Sequence, residues 1–362
     1  MGTGRTRAPR PARLQHPGRH RHGPRAARRL PRRTLVTIGI AILGAGRIAH
    51  SHAQAIARSP HARLVAVADR DAATAEHFAR AYGAPLHTTD IRRAIGALGV
   101  EAVIVCSPTT LHHNHAIAAL EAGQHALVEK PFAVDVAEAA AMIGVAETSG
   151  LQLMSGQVLR FMPMFSFAKQ FIEAGRLGSP VQSVERRLTF RRDQFPWWKD
   201  LPQFLVSHWG SHSLDILCHL LDDDVDQVLC SGSSVVSEFG VIDDFTLQAR
   251  FRSGFRSAIA MSFTSRFPVH DIVLIGENAT LQFDCYRRVT VDGEVVIERA
   301  DQQMMDEGFD AQLRSFVGAI RGEHALESSG SSVLRSLAAL AAAEASVSTG
   351  QPERLGTEPL AT

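Results

Sequence analysis

From residue 37 to residue 155, short apolar runs alternate with stretches of helical periodicity. Thr37–Leu43 (TIGIAIL), Leu64–Ala68, Glu101–Cys106 (EAVIVC), His125–Glu129 and Leu151–Ser155 are too short for helices and almost continuously apolar, as strands covered on both faces are. Between them, Ile48–Arg58, Ala73–Ala81, Asp90–Leu98, Leu111–Ala122 and Val136–Thr148 space their apolar residues as one face of a helix. This alternation predicts a doubly wound parallel sheet.

Beyond residue 157 the pattern changes. Val181–Phe190, Gln227–Val236, Phe245–Phe251, Ser257–Phe263 and Ile272–Ile275 read as strands separated by turn residues, and Arg252-Ser253-Gly254 as a hairpin connection. Two helices, Phe309–Arg321 and the alanine-rich Val333–Ser346, are expected to pack back across this sheet or the first domain. The expected organisation is therefore α/β, with a tail over 1–35, a nucleotide-binding domain over 36–156, a second α/β domain over 157–352 and a short tail over 353–362.

The first strand runs directly into Gly44-Ala45-Gly46-Arg47-Ile48-Ala49, a GxGxxA turn that opens a helix. Gly44 permits the tight turn, Gly46 lets a pyrophosphate approach the backbone, and the helix N-terminus at Arg47 and Ile48 favours its charge. The second strand ends at Asp69, 20 residues beyond Ala49, where a carboxylate accepts from the ribose hydroxyls of a dinucleotide. Asp69 favours NAD over NADP by repelling a 2′-phosphate, while Arg70 beside it leaves NADP open. The competing reading is that Asp69 only caps the following helix. Ligands of such sheets bind beyond the carboxyl ends of the strands, which is where the loops at Ser107-Pro108 and Glu129-Lys130-Pro131 begin.

Composition narrows the reading. Lys130 is one of only three lysines in 362 residues, and it falls at that crevice. The net charge of +1 hides a split: residues 1–33 hold eleven arginines and no carboxylate, leaving 27 basic against 37 acidic residues elsewhere. That balance argues against a nucleic-acid-binding surface on the folded body. Four cysteines at long spacings (Cys106, Cys218, Cys230, Cys285) with no CxxC pair read as reduced core residues of a cytoplasmic protein, and the chain holds no apolar run long enough to span a membrane. The basic tail reads as a nucleic-acid or membrane arm, as a twin-arginine signal at Arg32-Arg33, or as the product of a start set upstream of Val36. The export reading conflicts with the use of TIGIAILGAG as the first strand and glycine turn.

With these residues assembled, the chain resembles the Gfo/Idh/MocA oxidoreductase family over about Val36 to Gln351. The matching stretches are GAGRIA, Ala68-Asp69-Arg70, SPTTLHHNHAIAALEAGQHALVEKP, GQVLRFMP with Arg160, Gly175–Gly178, GSHSLD, QLRSFVGAI and STGQ. The resemblance implies a Rossmann domain followed by an α/β domain with a large open, mainly antiparallel sheet that assembles as a homodimer or homotetramer. It also implies hydride transfer between NAD and a secondary alcohol or ketone of a sugar, cyclitol or related polyhydroxylated metabolite. Lys130 and His212 are the implied catalytic pair, Lys130 stabilising charge and His212 exchanging the proton. Gly44, Gly46, Arg47, Ile48, Asp69, Arg70, Ser107, Pro108, His112, Glu129, Lys130 and Gln157 are the implied cofactor contacts, and His208, Asp215 and Arg160 the implied substrate contacts. Trp197, in the loop before the His212 helix, is an expected substrate contact because its ring could stack on the apolar face of a sugar.

The helix around His212 reads His208-Trp209-Gly210-Ser211-His212-Ser213-Leu214-Asp215, with histidine where relatives usually carry a first aspartate. Positions 208, 212 and 215 share one helix face, which with His219 also suggests metal ligands. No HExxH pattern supports that, and no metal is expected. Asp215 has a second reading as a structural ion-pair partner, and Trp197 as an interface residue. Two other functions fit the same architecture: an NAD-cycling glycosidase, and a non-catalytic sugar sensor.

Overall fold

The computed structural model describes residues 1–2, 4, 37–190, 204–235, 241–284 and 286–356. The first half runs β1 (Ile38–Leu43), α1 (Arg47–Arg58), β2 (Ala62–Ala68), α2 (Ala72–Tyr82), β3 (Leu86–Thr88), α3 (Ile91–Ile95), β4 (Ala102–Val105), α4 (His112–Glu121), β5 (His125–Glu129), α5 (Val136–Ser149) and β6 (Leu153–Gly156). Its six strands pair in parallel in the order β3-β2-β1-β4-β5-β6. All six residues of β1 are buried, because β1 lies at the centre of the sheet with helices over both faces.

Helix ends follow local chemistry. Asp71, Asp90 and Asp135 cap α2, α3 and α5 by accepting backbone N–H groups of the first turn. Helix α1 is different: its N-cap is Gly46, which offers no side-chain acceptor, and its first turn holds no acidic residue. Its N–H groups therefore remain available to an anion. Helix α3 stops at Ile95 rather than Leu98 because Gly96 follows. The three-residue strand β3 escaped the pattern because it is too short to show a period.

The second half runs α6 (Pro163–Glu173), β7 (Pro180–Phe190), α7 (Phe204–Leu221), β8 (Val225–Ser233), β9 (Asp244–Phe251), β10 (Arg256–Ser262), β11 (Thr264–Gly276), β12 (Thr280–Asp284), β13 (Arg288–Val291), β14 (Glu294–Glu298), α8 (Asp301–Ile320), α9 (Leu334–Thr349) and β15 (Glu353–Arg354). Nine strands form one sheet in the order β14-β13-β12-β11-β7-β10-β9-β8-β15, with β7 and β10 parallel and the other neighbours antiparallel. The predicted β9–β10 hairpin forms, with Arg252, Ser253 and Gly254 between the strands. Strand β11 is longer than the Ile272–Ile275 run, but its pairing is irregular between Thr264 and Val269. Pro268 lies in that gap and has no N–H to donate. Glu353 and Arg354, expected in the C-terminal tail, instead pair with β8.

The strands of this sheet alternate. Ser183, Glu185, Ile259 and Met261 are buried, whereas Val184, Arg186 and Leu229 are exposed. Helices α7 and α9 cover the buried face, with α9 also packed on β8. Helix α8 packs back on α1 of the first half, where the Arg58 guanidinium pairs with Asp310 at 2.7 Å and His52 meets the Phe309 ring edge-on at 5.0 Å. Both sheets belong to one compact unit over 37–362, so the crevice between them is a defined place.

One position tests this frame directly. Gly44 sits at φ +92°, and a Cβ there would lie 2.7 Å from the Cys106 carbonyl oxygen. Gly44→Ala is expected to cost about 3 kcal/mol from backbone strain and collision together, read by urea unfolding. Unchanged stability would mean that this turn is not tightly packed against the end of β4.

Candidate active site

The glycine turn and the end of β2 are joined by a side chain. Asp69 accepts from the Ala45 N–H at 2.8 Å through one carboxylate oxygen and from the Asp71 N–H at 3.0 Å through the other. Asp71, not Asp69, caps α2, so the capping reading of Asp69 fails. Arg70 beside it is exposed. A Cβ on Gly46 would meet nothing within 4 Å, so open space faces the uncapped start of α1, where Arg47 and Ile48 lie. Ser107 follows β4, with its hydroxyl buried and without a partner, and Pro108 precedes a single 3-10 turn over Thr109–Leu111.

The loop after β5 is held from behind. Glu129 is 4% exposed; its carboxylate lies 2.8 Å from His52 Nε2 of α1 and accepts the Lys130 N–H at 3.0 Å. It fixes the Lys130 backbone from behind. The His112 Nδ1 lies 2.8 Å from the Pro131 carbonyl oxygen and its Nε2 2.8 Å from that of Ser107, so the ring is lodged between the two loops. Burial lowers its pKa despite both carbonyls, so the ring is neutral and donates to one of them. The Lys130–Pro131 peptide is cis.

Lys130 enters the crevice. Its Nζ lies 2.9 Å from His208 Nε2 and donates to the His208 carbonyl oxygen at 3.2 Å. Loss of surrounding water lowers its pKa to about 7; Glu129 opposes the shift, and the charges of Arg187 and Arg47 add to it. His208 and His212 are both pushed well below the ordinary histidine value, first by desolvation and then by Lys130 and Arg187. Both imidazoles are therefore neutral near pH 7, and His208 accepts from the Lys130 ammonium where a carboxylate would carry fixed charge. His212 Nδ1 and Gln157 Oε1 are buried without partners.

Further along the same face of α7 the partners change. Asp215 and Arg160 bind each other: Arg160 Nε and Nη2 reach the two carboxylate oxygens at 2.8 and 2.6 Å, with the side chains 2% and 1% exposed. Arg160 also donates to the Ser332 hydroxyl at 2.9 Å, and Ser336 donates to Asp215 at 3.1 Å. This cluster joins the segment before α6 to α7 and α9. Neither residue is left to bind substrate, so both expected substrate contacts are corrected to a structural ion pair. The same pairing removes Asp215 from the metal-ligand set, and among the described residues no three His, Cys, Asp or Glu side chains are grouped to hold a metal ion. Trp197 lies outside the described residues, as do Cys285 and the basic N-terminal segment bearing the export and start-site readings.

Four side chains that sequence reasoning missed complete the site. His52 was hidden in an alanine-rich helix. Glu185 and Arg187 lie in the polar stretch of β7 and face α7, and His270 of β11 is the register partner of Arg187. The Arg187 guanidinium lies 4.0 Å from the centre of the Trp209 ring and 5.7 Å from that of Tyr286, and His270 meets Tyr286 edge-on at 4.5 Å. Burial raises the Glu185 carboxyl and lowers His270.

These residues fit a dinucleotide: an uncapped helix start, an open Gly46, a carboxylate at the end of β2, and the unpartnered Ser107 hydroxyl and Gln157 amide oxygen along the crevice. Known proteins agree. A model described as an oxidoreductase family with an NAD-binding Rossmann fold matches residues 38–157, and one described as the GFO/IDH/MocA C-terminal domain matches residues 165–282. The chain is 29% identical over 288 residues to 4-carboxy-2-hydroxymuconate-6-semialdehyde dehydrogenase of Sphingobium sp., covering 78% of this chain and 90% of that protein. It is 30% identical over 244 residues to scyllo-inositol 2-dehydrogenase (NAD(+)) of Bacillus subtilis, covering 64% and 69%. A crystal structure of an oxidoreductase domain protein from Kribbella flavida superposes with a TM-score of 0.80 at 25% identity, covering 89% of this chain and all of that one.

The reassignment of Asp215 is open to test. Asp215→Ala leaves Arg160 charged and buried, and is expected to cost about 3–5 kcal/mol of stability in urea unfolding. A loss below about 1 kcal/mol, with substrate affinity reduced instead, would restore Asp215 to the substrate site.

Proposed function

The chain belongs to the Gfo/Idh/MocA oxidoreductase family, and we propose that it oxidises or reduces a secondary alcohol or ketone of a sugar, cyclitol or related polyhydroxylated metabolite with NAD. The observation that carries this reading is the Lys130 ammonium, held 2.9 Å from His208 beside a neutral His212 at the carboxyl end of β5. The inositol dehydrogenase among its relatives supports the substrate class.

The glycine turn, Asp69 and the Ser107 and Gln157 side chains would hold NAD, whose nicotinamide would supply or accept the hydride. The protein does the rest. In oxidation, His212 takes the hydroxyl proton, which its lowered pKa leaves it free to accept near neutrality. Lys130 donates to the same oxygen as negative charge develops there. His208 holds the ammonium in place, and Glu129 with His52 fixes the backbone from which it projects. Retention of both Lys130 and His212 weighs against a purely sensory role.

The exposed apolar residues Val184 and Leu229 on the open face of the second sheet support assembly as a homodimer or homotetramer. A monomer mass by light scattering would contradict that. No helix among the described residues is long and apolar enough to cross a membrane, and a cytoplasmic location is the corresponding proposal.

The pH dependence has a definite sign. Lys130 loses its charge as pH rises through about 7, so kcat/KM for oxidation should fall on the alkaline side with an apparent pKa near that value. That value belongs to the Lys130–His208 pair jointly. Lys130→Met should remove this limb and lower kcat about 100- to 1,000-fold. A rate that rises through pH 7 would mean that Lys130 acts as a base. His212→Ala is expected to lower kcat at least about 100-fold while leaving NADH affinity within about threefold. Equal loss of both in a folded variant would refute its role in proton transfer.

A further inference from the structure

The crevice is short of negative charge. Of its carboxylates, Glu129 is tied to His52 and the Lys130 backbone, and Glu185 is 4% exposed on the sheet floor. Asp271, neighbour of His270, is paired with Arg186 on the other face of the sheet. Against these stand the cationic side chains Lys130, Arg187 and Arg47, with His208, His212 and His270 as neutral imidazoles among them.

Arg187 is the most unusual member of this set. Among the described residues its guanidinium forms no ion pair and no hydrogen bond, yet it is held over Trp209 and Tyr286 rather than extended into water. Trp209 is itself fixed, 9% exposed and edge-on to Phe263 at 4.7 Å. A guanidinium stacked on an aromatic ring keeps its N–H edges free for a planar bidentate acceptor. It lies on β7 beside His270 and against Trp209 of α7, near enough for its charge to act on Lys130, His208 and His212.

Resting on the oxidoreductase reading above, we propose that the substrate carries a carboxylate, and that Arg187, stacked on Trp209 and flanked by His270, is the residue that binds it. The substrate is then a polyhydroxylated carboxylic acid rather than a neutral polyol. A carboxylate suits the site better than a phosphate ester. The neighbouring imidazoles are neutral, so Arg187 is the one full cation placed to meet it, which balances a monoanion and leaves a dianion half-compensated. Lys130 is committed to the reacting oxygen, and Arg47 lies at the start of α1.

The test is a matched series on the NAD-loaded protein: glucose, glucuronate and glucose 6-phosphate, with the corresponding galactose and mannose sets. Equilibrium binding by calorimetry decides the proposal, and NADH formation with the same compounds decides the reading on which it rests. In at least one series the uronate is expected to bind about 10- to 100-fold more tightly than its neutral partner and more tightly than the phosphate ester. Arg187→Gln should bring the uronate to within about twofold of the neutral sugar, and Arg187→Lys should restore only part of the preference. A neutral sugar or a phosphate ester binding best in every series would overturn the proposal. So would a uronate preference that survives in folded Arg187→Gln. Uronate binding without NADH formation from any compound would support the Arg187 site while counting against the dehydrogenase reading.

Discussion

The site depends on placing an ammonium where water is scarce. Lys130 sits at the carboxyl end of a buried strand, and removing solvent from its charge brings its pKa to about 7. Burying a cation is costly unless its surroundings compensate. Here the compensation is layered. The Glu129 carboxylate is near enough to attract the charge, yet it bonds to His52 and the Lys130 N–H rather than to the ammonium itself. His208 supplies a neutral acceptor at 2.9 Å. His112 is lodged between the two crevice loops, against the carbonyls of Ser107 and Pro131. The result is a cation that is positioned without being neutralised.

The order of legibility follows the physics of the two sheets. Strands β1, β2, β4 and β5 are covered on both faces, so each appears as an unbroken apolar run that no helix of that length would carry. The glycine turn, Asp69 and Lys130 could be read from their positions at strand ends alone. The second sheet is open on one face, so its strands alternate and blur into loops. Strands β12, β13 and β14 each hold only four or five residues and went unread, and the gap around Pro268 hid most of β11. His52, Glu185, Arg187 and His270 were invisible for a related reason. A polar residue in an alternating strand or a small-residue helix looks like a solvated position until the fold shows what covers it.

Arg160 and Asp215 mark where pattern reasoning goes astray. Positions 208, 212 and 215 do share a face of α7, but three residues advance a helix by about 4.5 Å. That distance separates the crevice from the seam between α7, α9 and the segment before α6. His212 reaches the first, whereas Asp215 reaches the second and closes on Arg160. Side-chain spacing reports direction around an axis; the neighbours along the axis decide what the direction means.

The charge balance of the crevice ties recognition to chemistry. His208, His212 and His270 are held neutral and Lys130 is half-charged near pH 7, partly because Arg187 repels further positive charge. An anion bound at Arg187 relieves that repulsion and raises the pKa of Lys130. By linkage, the charged form of Lys130 then favours the anion to the same degree. Binding energy realised at a remote carboxylate thus helps to complete the ammonium that stabilises the reacting oxygen. A neutral polyol offers no such coupling and meets a half-discharged Lys130. The histidine at position 208 belongs to the same scheme. A carboxylate there would hold Lys130 charged whether or not substrate is present, whereas an imidazole leaves its protonation responsive to what Arg187 has bound.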